Sequence, residues 1–283
     1  MSPGNLEHEI ALTTWAAMFQ QKQAFLQYAT DKIHPSYLNG LKALGLTEQK
    51  IPTLSSLAAV LAPTGWRVTW IPGYVPSKVY SSLIAQGIFP LSQRIRDLKH
   101  LERSPIPDFL HDIWGHVPLL FDVHYSQFIR RISQEISKAT ETKEDENLYH
   151  AQVQLAELKS LFYTDHEECM VAAQLNLDQA KNAVNQAPSL YTKLGRLFAW
   201  TIEFGLFSDG NGQETIVGAG LLSSLRECLV ITSGNFSRAP FSKKAVNFDF
   251  QFTQTQPFLY ISSGLDQWHE VLSELLDSER GYS

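Results

Sequence analysis

Read stretch by stretch, the apolar positions along the chain mark mostly helices, with a few short strands. Residues 6–31 keep Ile10, Phe19 and Phe25 close to one face and contain neither Gly nor Pro. A helix is predicted there, stopped at His34-Pro35 because the residue before a proline is pushed out of the helical region. A second helix is predicted to end at Gly45, which can take the left-handed cap. A short one follows Ile51-Pro52 and closes at Pro63-Thr64-Gly65. Further helices are predicted over 79–86, from Phe109 to about His116 with Asp108 as N-cap, over 190–207 and, amphipathic, over 266–276. Strands are expected at 66–71 and 257–262, where aromatic and β-branched residues gather. Residues 206–212 read as a turn, and 217–224 as a small-residue loop running into a helix.

One segment stands apart. Between Lys138 and Pro188 there is neither Gly nor Pro. Leu148, Ala151, Leu155, Leu158 and Phe162 step by three and four, and so do Met170, Ala173, Leu177, Ala180 and Val184. Thr164-Asp165-His166-Glu167 between the stripes has the form of a capping box. Residues 138–188 are therefore expected to be an inserted helical hairpin. Asp165-His166-Glu167-Glu168-Cys169 has the look of a metal cluster, but a capped helix start with an acidic first turn explains it without a metal. Leu161, Val171 and Leu175 lie off the stripes and need another surface. That surface is either the rest of the domain, making the hairpin a lid, or a second copy of the chain. The stiffness of the segment favours a homodimer interface.

Composition narrows the class. Hydrophobic residues make up 44% and charged residues 18%, as in ordinary globular proteins. A net charge of −6 argues against non-specific nucleic-acid binding. Cys169 and Cys228 form no spacing motif and read as reduced thiols, which suits a cytoplasmic protein. Residues 1–10 show no signal peptide, and no apolar run approaches the ~20 residues of a membrane span.

The chemistry gathers at Pro107-Asp108-Phe109-Leu110-His111-Asp112-Ile113-Trp114-Gly115-His116-Val117-Pro118. Histidines five apart do not share a face of an ideal α-helix. They converge only if the second sits where the helix ends or loosens, and Gly115 and Pro118 are placed for that. Glu203 lies inside the apolar run 197–206, where a carboxylate is costly unless paired or bound to metal. Two histidines and a carboxylate with open positions make the facial triad of non-haem Fe(II) oxygenases. On spacing alone, two structural histidines and a buried ion-pair partner remain open alternatives.

The stretch from Ser104 to Asp122 resembles the iron motif of the tetrahydropterin-dependent aromatic amino acid hydroxylases. Trp200-Thr201-Ile202-Glu203-Phe204-Gly205-Leu206 resembles the same family's segment around its iron glutamate. Gly218-Ala219-Gly220-Leu221-Leu222-Ser223-Ser224 resembles its small-residue loop. Three blocks in order are more specific than any one, and weaker similarity extends from about Trp15 to the last helix. The resemblance implies a single catalytic domain over 1–283, mostly α with a few short strands, a helical basket around an iron cleft. It implies His111, His116 and Glu203 as Fe(II) ligands, and Ser223 holding the far nitrogen of His111. Arg96 matches the arginine that clamps the substrate carboxylate, although it also reads as one surface cation among several. Ser104 and Pro107 match the substrate pocket, and Trp200, Phe204 and Gly220 stand in its matching blocks. Gly73, Val75 and Tyr80 match the pterin loop, with Tyr80 offering a π-face to a tetrahydrobiopterin-like ring.

Departures from the family pattern bear on specificity. Asp112 stands where Glu is usual, which shortens the reach to the pterin. Phe198 replaces a tyrosine and Ala199 a large aromatic, opening space on the order of a ring. The resemblance implies an O2-using monooxygenase acting on an aromatic amino acid, with phenylalanine as the default. A larger aromatic such as tryptophan, or an unusual biosynthetic intermediate, is the alternative. A non-catalytic partner-binding protein on the same fold is the rival of another class.

Overall fold

The computed structural model describes residues 3–73, 75–102, 104, 106–161, 167–251 and 254–281. The chain opens with helix α1 (Pro3–Ala29), which turns Trp15, Met18 and Phe25 inward. Helix α2 (Pro35–Leu44) starts on proline, whose fixed φ suits the first helical position, and ends at Gly45 with φ +59°, as expected. Helix α3 (Leu54–Leu61) carries a reciprocal cap between Thr53 and Ser56. Strand β1 (Arg67–Ile71), helix α4 (Ser77–Ala85) and strand β2 (Ile88–Ser92) form a βαβ unit, with the two strands parallel. The sequence reading missed β2.

The next segment departs from the single predicted helix. It opens as α5 (Phe109–His111), widens into a π-turn over Asp112–His116, and closes as α6 (Val117–Leu119). Helix α7 (Val123–Lys138), also missed, is strongly amphipathic and buries Tyr125, Phe128, Ile129, Ile132 and Ile136. Helices α8 (Lys143–Leu161) and α9 (Glu167–Gln186) form the hairpin. Ala151, Leu155, Ala173 and Leu177 make a small core of their own between them, with Leu148, Leu158, Met170 and Ala180 packed around it. The predicted capping box at 164–167 lies outside the described residues apart from the backbone of Glu167. Asp145 ties the hairpin to the body. Its carboxylate accepts from Thr142, Ser189 and Thr192, so one side chain fastens both ends.

Helix α10 (Leu190–Phe198) also widens into a π-turn, over Ala199–Glu203. The predicted helix over 190–207 thus stops at 203, and Leu206–Phe207 belongs to a strand. Strands β3 (Leu206–Ser208), β4 (Glu214–Ile216), β5 (Ser237–Pro240) and β6 (Phe258–Ser262) form a sheet in the order β4-β3-β6-β5. Only β6 was expected. The apolar run of α10 continues without a break into β3, so hydrophobicity alone could not mark the change. The short helix α11 (Ala219–Ser223) leads into α12 (Leu225–Thr232), and α13 (Leu265–Arg280) closes the chain. One main core gathers residues from Trp15 to Leu275, including the fully buried Trp15, Trp66, Trp114, Trp200 and Trp268. Among the described residues, no helix is long and apolar enough to cross a membrane.

Candidate metal centre

Both π-turns matter to the site. In an α-helix, residues five apart point away from each other; a turn closed by an i→i+5 bond brings them nearly into line. The Val117 amide donates to the carbonyl of Asp112, and the Phe204 amide to that of Ala199. The first wide turn lets His111 and His116 face one point, and the second ends on Glu203. The local loosening expected near Gly115 is therefore a π-turn rather than the end of the helix.

The three side chains converge closely. His111 Nε2 and His116 Nε2 are 3.1 Å apart. Glu203 Oε1 lies 3.1 Å from His116 Nε2, and its Oε2 lies 3.5 Å from His111 Nε2. Adjacent ligands about 2.1 Å from one octahedral ion stand about 3.0 Å from each other, so this spacing fits a cation between them. Two imidazoles and one carboxylate suit Fe(II) better than Mg or Ca.

The surroundings set orientation and charge. Ser223 Oγ sits 2.9 Å from His111 Nδ1 and itself donates to the Gly220 carbonyl at 3.1 Å. The hydroxyl proton is thus engaged, and Nδ1 must carry the hydrogen of that contact. Nε2 is left as the lone-pair face toward Glu203 and His116. The Gly220 amide donates to the Glu203 carboxylate. Among the described residues, His116 Nδ1 is buried without a protein partner. Burial pulls His111 down to about 4, with Glu203 opposing. Burial also works against charge on His116, but the Glu203 carboxylate and its hydrogen bond outweigh it and raise His116 above 6.5. Burial opposes ionisation of Glu203 too, yet the two histidines hold it at about 2.

A pH dependence follows. An entering ion must displace the proton that Glu203 stabilises on His116. Co(II) or Fe(II) affinity should rise with pH through the raised His116 value and level off above it, with about one proton released per ion. Calorimetric titrations in buffers of different ionisation enthalpy read that proton directly. Affinity that is flat or falling across neutral pH would contradict the assignment.

Close backbone approach explains one glycine of the motif. A Cβ on Gly115 would stand 2.5 Å from the carbonyl oxygen of Ala219, where the π-turn meets α11. Gly115→Ala is expected to push these segments apart at a cost of about 1–3 kcal/mol. Urea denaturation measures it, and an unchanged midpoint would mean that the contact yields freely.

His111 and Glu203 open onto a cavity of about 320 Å³. Arg96, Ser104, Pro107, Tyr80, Phe198, Ala199, Phe204, Gly220 and Ser223 also line it. Other predicted residues lie elsewhere. Trp200 is fully buried in the core, donates from Nε1 to the Phe248 carbonyl at 2.9 Å and stacks on Phe258. Ala199 lines the cavity and Trp200 does not, so Trp200 does not take over the space that Ala199 leaves. Asp112 is buried and accepts from the Ser92 amide at 2.7 Å, and burial raises its carboxyl to about 7. Gly73 and Val75 stand in the loop between β1 and α4, outside this cavity wall.

Arg96 is not a surface cation. It is 6% exposed and pairs with Asp108 through Nε at 3.0 Å and Nη2 at 2.6 Å. Nη1 also donates to the Leu101 carbonyl at 3.3 Å, so three of the five N–H groups are engaged and the side chain reaches the cavity already oriented. Asp108 also caps α5 by accepting from the His111 amide at 3.0 Å. The cavity wall missed in the sequence comes from the hairpin and its anchor. Asp145, Leu148, Tyr149 and Gln152 of α8 line it, with Tyr191 and Thr192 of α10. The α8 stripe reports the seam with α9 and gives no sign that the same helix also walls the cavity.

Comparisons with known proteins extend this picture. Residues 6–159 and 172–278 match the family described as biopterin-dependent aromatic amino acid hydroxylase; residues 160–171 are unmatched. The chain is 26% identical to phenylalanine-4-hydroxylase of Pseudomonas aeruginosa over 84% of its own length and 73% of that protein. It is likewise 26% identical to phenylalanine-4-hydroxylase of Chromobacterium violaceum, covering 78% of this chain and 59% of the relative. A solved structure of Chromobacterium violaceum phenylalanine hydroxylase, with bound iron(III) and oxidised 7,8-dihydrobiopterin, superposes with a TM-score of 0.70 at 22% identity. It covers 94% of this chain and 81% of that one. Since the matched residues run through all three blocks that meet at His111, His116 and Glu203, this chain belongs to the biopterin-dependent aromatic amino acid hydroxylase family.

Proposed function

We propose that the chain is a mononuclear iron, tetrahydropterin-dependent monooxygenase that hydroxylates the ring of an aromatic amino acid, phenylalanine by default. The observation that carries this reading is the facial set of His111, His116 and Glu203, with separations of 3.1, 3.1 and 3.5 Å, opening onto a cavity that also contains Arg96. Bound there with a reduced pterin, iron supplies the activation of O2 that ring hydroxylation needs. The chain's own residues do the rest. Ser223 and the Gly220 amide orient His111 and Glu203. Arg96, held by Asp108, presents its remaining N–H groups to a substrate carboxylate. Tyr80 offers a ring face to the pterin, and Phe204 packs beside the substrate ring.

Anaerobic Fe(II) titration followed by O2 uptake coupled to tetrahydropterin and phenylalanine tests this. One iron per chain and amino-acid-dependent pterin oxidation are expected. Absence of both would leave the non-catalytic reading.

A larger aromatic substrate is supported by Ala199, which lines the cavity where the family pattern has a bulky ring. Ala199→Trp should shift relative kcat/KM toward phenylalanine and away from tryptophan. An unchanged preference in a substrate panel would remove residue 199 from the specificity wall.

The hairpin contributes the α8 wall of the cavity. Val171 and Leu175 on α9 are 54% and 57% exposed, and these are the positions that a second copy would cover in a homodimer. Light scattering of Val171→Lys/Leu175→Lys beside wild type decides that point, since a monomeric wild type removes the dimer. A cytoplasmic location is proposed on the two unpaired cysteines.

A further inference from the structure

Lys22, in the second half of α1, is 2% exposed. Among the described residues, the charged or ionisable groups that act on it are the Cys228 thiol and the Arg96 guanidinium, and no carboxylate is among them. Burial pushes its ammonium below lysine's ordinary range. A buried ammonium without a counter-ion is costly, and methionine would fill the same space without that cost. Packing therefore does not account for a lysine here.

Its partner points to a role. Lys22 Nζ donates to the carbonyl of Leu222, 200 residues away in sequence, at the carboxyl end of α11. Carbonyls at a helix end lack intrahelical donors and carry partial negative charge. The neighbouring carbonyl, that of Leu221, accepts from the Ser224 amide at 3.1 Å and the Cys228 thiol at 3.2 Å. The gripped peptide unit joins Leu222 to Ser223, the residue that touches His111 Nδ1. One turn earlier, the Gly220 amide holds the Glu203 carboxylate. This single turn of helix thus orients two of the three converging side chains, and Lys22 anchors its far end.

We infer that Lys22 is a positioning residue for the metal centre, acting through the Leu222–Ser223 peptide unit to hold His111 and Glu203 in their converged geometry. The inference rests on the iron-site reading proposed above. It ties the N-terminal helix to the metal without any contact between Lys22 and the ion.

Co(II) serves as the probe, because its affinity and ligand-field absorption report the site without turnover. Lys22→Met is expected to keep a cooperative melt, lose roughly tenfold or more in Co(II) affinity, and show a shifted spectrum, as is usual when a ligand's outer support is removed. If Lys22 acts through Ser223, the two positions are coupled. Lys22→Met made in a Ser223→Ala background should then cost less than about threefold more. Wild-type affinity and spectrum in folded Lys22→Met, or full additivity in the double variant, would overturn the inference. Should Lys22→Met not fold, Lys22→Gln goes through the same titration under the same criteria. A wild-type protein that takes up no Co(II) or Fe(II) would defeat the iron reading itself, a result distinct from the other two.

Discussion

Glu203→Ala is expected to abolish stoichiometric iron binding, and with it pterin-coupled hydroxylation, while leaving the chain folded. The carboxylate is the only anionic member of the converging set, and two neutral imidazoles 3.1 Å apart hold a divalent ion poorly by themselves. The loss should exceed the roughly 10–100-fold typical of outer-shell changes. Stability gives a second readout. An ion at about 100 times its Kd adds about 2.7 kcal/mol to the folded state. Wild type should therefore melt higher with Fe(II) or Co(II), and Glu203→Ala should show no such rise. His111→Ala and His116→Ala should behave alike. A variant that retains one iron per chain would remove that residue from the ligand set.

The second large effect belongs to the Arg96–Asp108 pair. Asp108→Ala leaves a guanidinium that is 6% exposed without its counter-ion, and breaking a buried pair from one side costs about 3–5 kcal/mol. The substitution also strips an acceptor from the amides of Arg96 and His111, adding about 1 kcal/mol for the lost helix cap. Against a total stability of about 5–15 kcal/mol, that is a large share. Urea denaturation should show it directly. KM for an amino-acid substrate should rise as well, because Arg96 loses the edge that aims it. Arg96→Met combined with Asp108→Ala should recover part of the stability but none of the substrate affinity, since both buried charges are then gone. An Asp108→Ala cost below about 1 kcal/mol would show that the pair is not what holds this corner. The pH dependence has a definite sign. Burial alone would raise the Asp108 carboxyl, but Arg96 outweighs burial and holds it below 3.8. The pair's contribution is therefore present at neutral pH and fades only as pH falls through that lowered value.

Much of the site could be read from residue order. The two histidines, the glutamate and the glycine-rich block fall in short, dense segments whose residue types are rare together. Their identity needs no knowledge of where the chain runs. The packing of α8 on α9 was legible for a similar reason, because their stripes report a seam between neighbours in sequence.

Other features depended on which hydrogen-bonding register a helix adopts. Residues 109–119 and 190–203 have ordinary helical composition, and nothing in their periodicity separates an i→i+4 from an i→i+5 closure. Yet that choice, made where Gly115 lies against Ala219, decides whether His111 and His116 can face one ion.

Long-range contacts were equally hidden. The α8 wall of the cavity, the turning of Trp200 into the core and the reach of Lys22 to Leu222 join residues far apart along the chain. The sequence by itself marked side chains suited to a metal and most of the stretches that fold as helices, α7 excepted, because both follow from local residue type. Only the tertiary structure decided which of those side chains meet, because convergence depends on how helices widen and pack against partners that sequence spacing does not reveal.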